Sequence, residues 1–231
     1  LAEAVLVQQR RVVLTAEGVE ELGALASGGA ETVMLVEFRN PELKHLAGKT
    51  LAEVAIMRNQ SPEETAMDLV IEDRTRVGAM YFNQSEAVVQ KAIQQPWVSF
   101  CTDADTVAAE GDALLNHRHP RTYGTFPRVL GHYVRQLKLL TLEQAIHRAS
   151  GLPATNLSLR DRGFLREGYF ADVLVFDPNT IIDQATFQQP HQYAVGMEQV
   201  FINGAAVIAD SVPTGATPGR VVRGPGWTGW Q

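Results

Sequence analysis

With one cysteine in 231 residues, Cys101, the chain has no intrachain disulfide framework, and a reducing, cytoplasmic setting is expected. No apolar run approaches the roughly 18–20 residues that a membrane-spanning helix requires, so no membrane role is expected. Basic charge is also scarce: 20 Lys and Arg stand against 26 Asp and Glu, a formal net charge of −6, and nothing denser than "QRR" or "RQLK" gathers cations. A nucleic-acid partner therefore has no electrostatic footprint. The phosphate-cradling G-x-x-x-x-G-K-[ST] loop is missing. The opening stretch "LAEAVLVQQRRVVLTAEGVEEL" lacks an initiating Met, a basic start and a small-residue cleavage site, and reads as a chain that continues upstream.

What is present is an ordinary globular composition, 45% hydrophobic with a mean hydropathy of −0.09, enough to build a sizeable core. "EGVEELGALAS" (17–27) carries apolar residues at helical spacing and ends at a Gly pair. "TVMLVEF" (32–38) predicts a buried strand and "KTLAEVAIMRN" an amphipathic helix. "SPEETAMDLVIED" predicts a helix with Ser as N-cap, Pro at its first position and Glu64 closing a capping box. "VGAMYF" (77–82) predicts a second strand, "SEAVVQKAIQQ" a helix capped by Ser85, and "WVSFC" (97–101) a third strand. That order suits α/β units around a largely parallel sheet, whose ligands sit at the carboxyl ends of strands. Helices are predicted over about 125–137 and 141–150, with a short turn in "GLPATNLSL". From Arg162 onward come short β runs between Gly and Asp turns, and Asn203-Gly204 is a strong hairpin signal. The expected division is 1–160, α/β, and 161–231, a small β domain.

The chemistry-bearing residues cluster after the third predicted strand. Asp103 stands where "WVSFC" would meet a loop, a place for a general base or a metal ligand; the alternative is a turn-capping acid. Asp105 reads as solvated. His117 and His119 form an H-x-H that invites zinc, but Pro120 argues against a strand there, and a loop or substrate-lining role is preferred. Cys101 reads as a buried thiol, with no nucleophile motif around it. Arg121 and Arg128 flank "TYGTFP" and either clamp a substrate carboxylate or pair with acids of the chain itself.

"FCTDAD", then the run from "HPRTYGTFPRVLGHYVRQL" to "DQATFQQP", then "VFINGAAV" and "TGATPGR" resemble the C-terminal part of the D-aminoacylases, N-acyl-D-amino-acid deacylases of the metal-dependent amidohydrolase superfamily. The likeness runs from about Val33 to Trp227 and is densest over 119–190. The resemblance implies the C-terminal part of a (β/α)8 barrel followed by strands of a small β-sandwich domain. It puts Asp103 in the position of the family's catalytic aspartate, with metal ligation by the same carboxylate as a further role. It places His119, Arg121 and Tyr123 of "HPRTYGTF" on the rim as substrate-binding residues.

The implied parent uses zinc and acts on small-molecule N-acyl-D-amino acids. The family's first-strand H-x-H is not matched ahead of Asp103, where His45 is the one histidine. The chain alone is therefore expected to be inactive and to bind no metal stably. Its expected partner is the missing N-terminal half of the barrel or a second copy, which would cover the bare edge of the first retained strand. A dihydroorotase-like or hydantoinase-like amidohydrolase and a non-catalytic binding module are the alternative readings.

Overall fold

A computed structural model describes residues 28–228; the helix expected over 17–27 lies outside the described residues. Two compact units emerge, each assembled from separated stretches of chain. Among the described residues, one comprises 28–84, 107–119 and 186–191, and the other 85–106, 120–185 and 192–228.

In the first unit, strand β1 (Val33–Glu37) leads through a short 3₁₀ turn to helices α1 (Leu51–Arg58) and α2 (Pro62–Asp73), then to strand β2 (Gly78–Tyr81). Both helices start on capping boxes. Thr50 accepts from the Glu53 amide and Ser61 from the Glu64 amide, and each glutamate reaches back to its cap residue. Val33, Leu35, Phe38, Leu43, Leu46, Leu51, Val54 and Leu69 close the core.

The strands pair antiparallel, Met34 opposite Met80 and Leu35 opposite Ala79, which corrects the parallel arrangement expected from sequence. The connection between them holds two helices and is long enough to return the chain in either direction, so composition alone does not decide it. Nor is β1 bare along its other side. The Leu35 amide donates to the Lys49 carbonyl at 2.8 Å and the Leu35 carbonyl accepts from Gly48 at 2.7 Å, so the expectation of an open edge fails at Leu35.

The second unit contains α3 (Glu86–Ile93), α4 (Arg121–Arg128), α5 (Leu142–Ala149), α6 (Gly151–Asn156) and a four-stranded antiparallel sheet. Its strands, in spatial order, are β3 (Val173–Phe176), β4 (Met197–Ile202), β5 (Ala205–Ala209) and β6 (Val212–Pro213). Asn203 and Gly204 turn β4 into β5 with φ of 50° and 83°, the left-handed pair that a type I′ hairpin needs. Although β3 to β5 are largely apolar, none of their residues is fully buried.

Three expectations are corrected in this unit. Ser85 does take the N-cap position of α3, its carbonyl accepting from Val88 and Val89, though its side chain makes no cap bond. The helix expected from 125 starts at Arg121, and beyond Pro127, which lacks an amide donor, it widens into a π-helical stretch over Val129–Gln136. "WVSFC" is not a sheet strand. Exposure does alternate along 98–103, with Val98, Phe100 and Thr102 half-buried and Ser99, Cys101 and Asp103 exposed, but no neighbouring strand pairs with them. Cys101 is accordingly exposed, not buried.

The long helix lies against the segment 178–185 on one face. At Gly124 an added Cβ would stand 2.8 Å from the Asp183 Cβ, and at Gly131 it would stand 2.4 Å from the Ile181 carbonyl oxygen. Arg135, one turn on, donates to the carbonyls of Pro178 at 3.0 Å and Ile181 at 2.7 Å.

Two stability outcomes follow from these contacts, both readable by chemical denaturation. Gly131→Ala is expected to cost about 1–3 kcal/mol by overpacking, while Gly219→Ala, with nothing within 4 Å of its added Cβ, stays within about 0.5 kcal/mol. Ser61→Ala should cost about 1 kcal/mol, and Ser85→Ala under half of that.

Candidate functional site

The segment 98–103 ends on Asp103, whose φ of 49° puts it in the left-handed region that aspartate tolerates better than most residues. The turn carries its carboxylate outward, where Oδ2 accepts from Arg121 Nη2 at 2.8 Å with the side chain 79% exposed. Thr102 fixes the same junction: its hydroxyl lies 3.1 Å from the Arg121 carbonyl oxygen and 3.1 Å from the Thr125 hydroxyl. The first residue of α4 thus holds both ends of the Thr102–Asp103 dipeptide, one through its backbone and one through its guanidinium. Chemically, this is an accessible carboxylate with a fixed direction and a cation at its side.

Arg128, the second arginine of the motif, is committed elsewhere. It donates to Asp183 Oδ2 at 3.2 Å and lies 5.7 Å from the ring centre of Tyr133. Burial opposes its charge, but the Tyr133 hydroxyl and the Asp183 carboxylate outweigh that and raise its pKa. The Tyr133 hydroxyl in turn reaches Glu86 on α3 at 3.4 Å, and burial raises its pKa above the usual phenol value. Both arginines therefore pair with acids of this chain. Tyr123 sits on α4 with its ring edge-on to Tyr193 at 5.7 Å.

The two histidines of H-x-H belong to the first unit. The His117 amide donates to the Val36 carbonyl at 2.7 Å, its Nε2 bonds the Phe187 carbonyl, and the ring covers Gly48, where an added Cβ would stand 3.0 Å from Nδ1. Because a carbonyl can only accept, Nε2 carries the proton there and is not open to a metal. His119 packs edge-on against the Phe187 ring at 5.1 Å. Among the described residues no group of three His, Cys, Asp or Glu side chains could hold a metal ion, so the residues present do not by themselves fit a zinc centre.

Sequence reasoning missed Thr102, Thr125, Asp183, Phe187 and Arg148, whose parts depend on carbonyls and carboxylates brought together from distant stretches. No spacing signal announces them. For Asp103 the usable signal was its place at the end of an apolar run, although that run is not a sheet strand.

A profile of the amidohydrolase family matches residues 44–208. The chain is 40% identical over 177 residues to a D-aminoacylase of Alcaligenes xylosoxydans xylosoxydans, covering 77% of this chain and 34% of that protein. It is 39% identical over 176 residues to an N-acyl-D-glutamate deacylase of the same organism, covering 76% and 33%. Among solved structures, a D-aminoacylase crystal structure superposes with a TM-score of 0.67 at 37% identity, covering 82% of this chain and 37% of that one. An N-acyl-D-glutamate deacylase from Bordetella bronchiseptica, complexed with zinc and a phosphonate inhibitor, gives 0.64 at 35% identity, covering 80% and 37%. The chain spans about a third of the length of these relatives. It belongs to the amidohydrolase family and over three quarters of its length is similar to D-aminoacylases and N-acyl-D-amino-acid deacylases.

Proposed function

We propose that this chain is the C-terminal segment of a zinc-dependent deacylase that cleaves the amide bond of N-acyl-D-amino acids, and that it carries the proton-transfer carboxylate, Asp103. The observation that carries the reading is the joint likeness, at 39–42% identity, to a D-aminoacylase, a D-glutamate deacylase and a D-aspartate deacylase, relatives that share the D-configuration and the acyl amide. The local geometry supports it: Asp103 is outward, accessible and oriented, as a base that must reach a substrate has to be.

In hydrolysis, water adds to the acyl carbon, the C–N bond breaks, and one proton moves to the departing amine. Asp103 accepts that proton and delivers it, and Arg121, 2.8 Å away, keeps the carboxylate aimed. His119 and Tyr123 are assigned to the substrate rim. Zinc, held in the Bordetella relative, is assigned to ligands outside this chain, because the donors here do not assemble a centre. The finer architecture belongs to the same reading: 1–160 as the late part of a (β/α)8 barrel and 161–231 as part of a small β sandwich. The absence of fully buried residues in β3 to β5 supports a sheet that further strands complete.

The test is a hydrolysis assay on the full natural polypeptide containing this segment, loaded with zinc. N-acetyl-D-amino acids should be cleaved and their L-enantiomers spared, while the 231-residue chain alone releases no amine. Turnover of cyclic amides in their place would move the enzyme to the dihydroorotase or hydantoinase class and defeat the proposal. Asp103→Asn is expected to lower kcat by about 10²–10⁴-fold. Because the Asp103–Arg121 pair is exposed, Asp103→Ala should shift unfolding free energy by no more than about 1 kcal/mol, read by denaturant titration.

A further inference from the structure

Arg148, in the last turn of α5, is 4% exposed, yet no carboxylate is bonded to it. Its Nε donates to the Val98 carbonyl at 2.6 Å and its Nη1 to the Ile93 carbonyl. The guanidinium carbon lies 4.6 Å from the centre of the Phe100 ring, and the Arg148 carbonyl accepts the Phe100 amide at 3.1 Å. Burial without an acidic counter-ion pushes the guanidinium pKa below its ordinary value. Burying a cation for structural filling alone is costly, and an apolar side chain would fill the space at less expense. What the guanidinium adds is a rigid fork that fixes two carbonyls five residues apart.

We propose that Arg148 is a positioning residue that ties the end of α3 at Ile93 to the segment 98–100 and thereby sets where Asp103 stands. This inference rests on the catalytic reading of Asp103. The segment 98–103 has no sheet neighbour; beside the packing of Phe100 against the cluster of Ile93, Val129, Tyr133 and Ala145, it is held by Arg148 at Val98 and Phe100 and by Arg121 at Thr102 and Asp103. Alternation along 98–103 turns Val98 and Phe100, the residues that Arg148 engages, to the half-buried side and Asp103 to the open side. A slip of one residue would reverse Asp103's face.

Hydrogen exchange on the 231-residue chain tests the hold directly. Arg148→Met should accelerate exchange across 93–103, the Phe100 amide included, by about tenfold or more, with α1 and α2 unchanged. Unchanged protection of 93–103 would overturn the inference. Should Arg148→Met lose protection throughout the second unit, Arg148→Lys decides: a single nitrogen replaces the two-nitrogen fork, and acceleration confined to 93–103 supports the hold whereas none refutes it. In the full zinc-loaded polypeptide, Arg148→Lys should lower kcat by about tenfold with KM within about twofold, and add nothing to the loss already caused by Asp103→Asn. Additive losses would overturn the positioning role. An Asp103→Asn enzyme with undiminished activity would instead sink the catalytic reading, leaving the exchange result to decide Arg148's grip on the segment.

Discussion

The second unit depends on how closely one helix can approach a loop. Gly124 and Gly131 leave no side chain between the helix and the segment 178–185, and Arg128 and Arg135 fasten the seam to Asp183 and to two backbone carbonyls. These four positions follow one another at spacings of four, three and four, a single helical face. With that face committed, the start of α4 is fixed, and Arg121 at its first position can hold Thr102 and Asp103. Remote packing and an exposed carboxylate are therefore joined by one rigid element.

Much of the first unit was legible in sequence because its signals are local. The capping boxes at Thr50 and Ser61 need only residues three apart, and Asn203-Gly204 specifies its hairpin through backbone conformations that few other pairs adopt comfortably. Reading failed where the answer depended on a partner elsewhere. "WVSFC" has the composition and alternation of a strand, but a strand is defined by its ladder, and here the polar groups of Val98 and Phe100 are met by a helix residue. Cys101 followed the same error: assigned to a buried strand, it lies on the segment's open side. The direction of β2 relative to β1 is likewise set by tertiary pairing and not by the local signals between them.

The candidate site was legible to a similar degree. Asp103 and Arg121 were singled out separately, and the structure brings them into one ion pair; nothing in their spacing of 18 residues showed that the arginine serves the aspartate. The H-x-H pair is a case of residue types suggesting a chemistry that hydrogen bonding withdraws. The ring nitrogen that would be free in an open loop is occupied at His117 by the Phe187 carbonyl. Zinc is held by the Bordetella relative, whereas among the described residues of this chain no three donors gather around one point.

The division into two units has a consequence for heredity. The chain passes from one unit to the other at 84/85, 106/107, 119/120, 185/186 and 191/192, so neither unit is a contiguous stretch of the polypeptide. A single recombination event cannot exchange one unit for a homologous version while leaving the other intact. Any crossover between related genes within 84–192 would splice foreign sequence into both. Exchange of one whole unit between related genes therefore needs several crossovers at these boundaries.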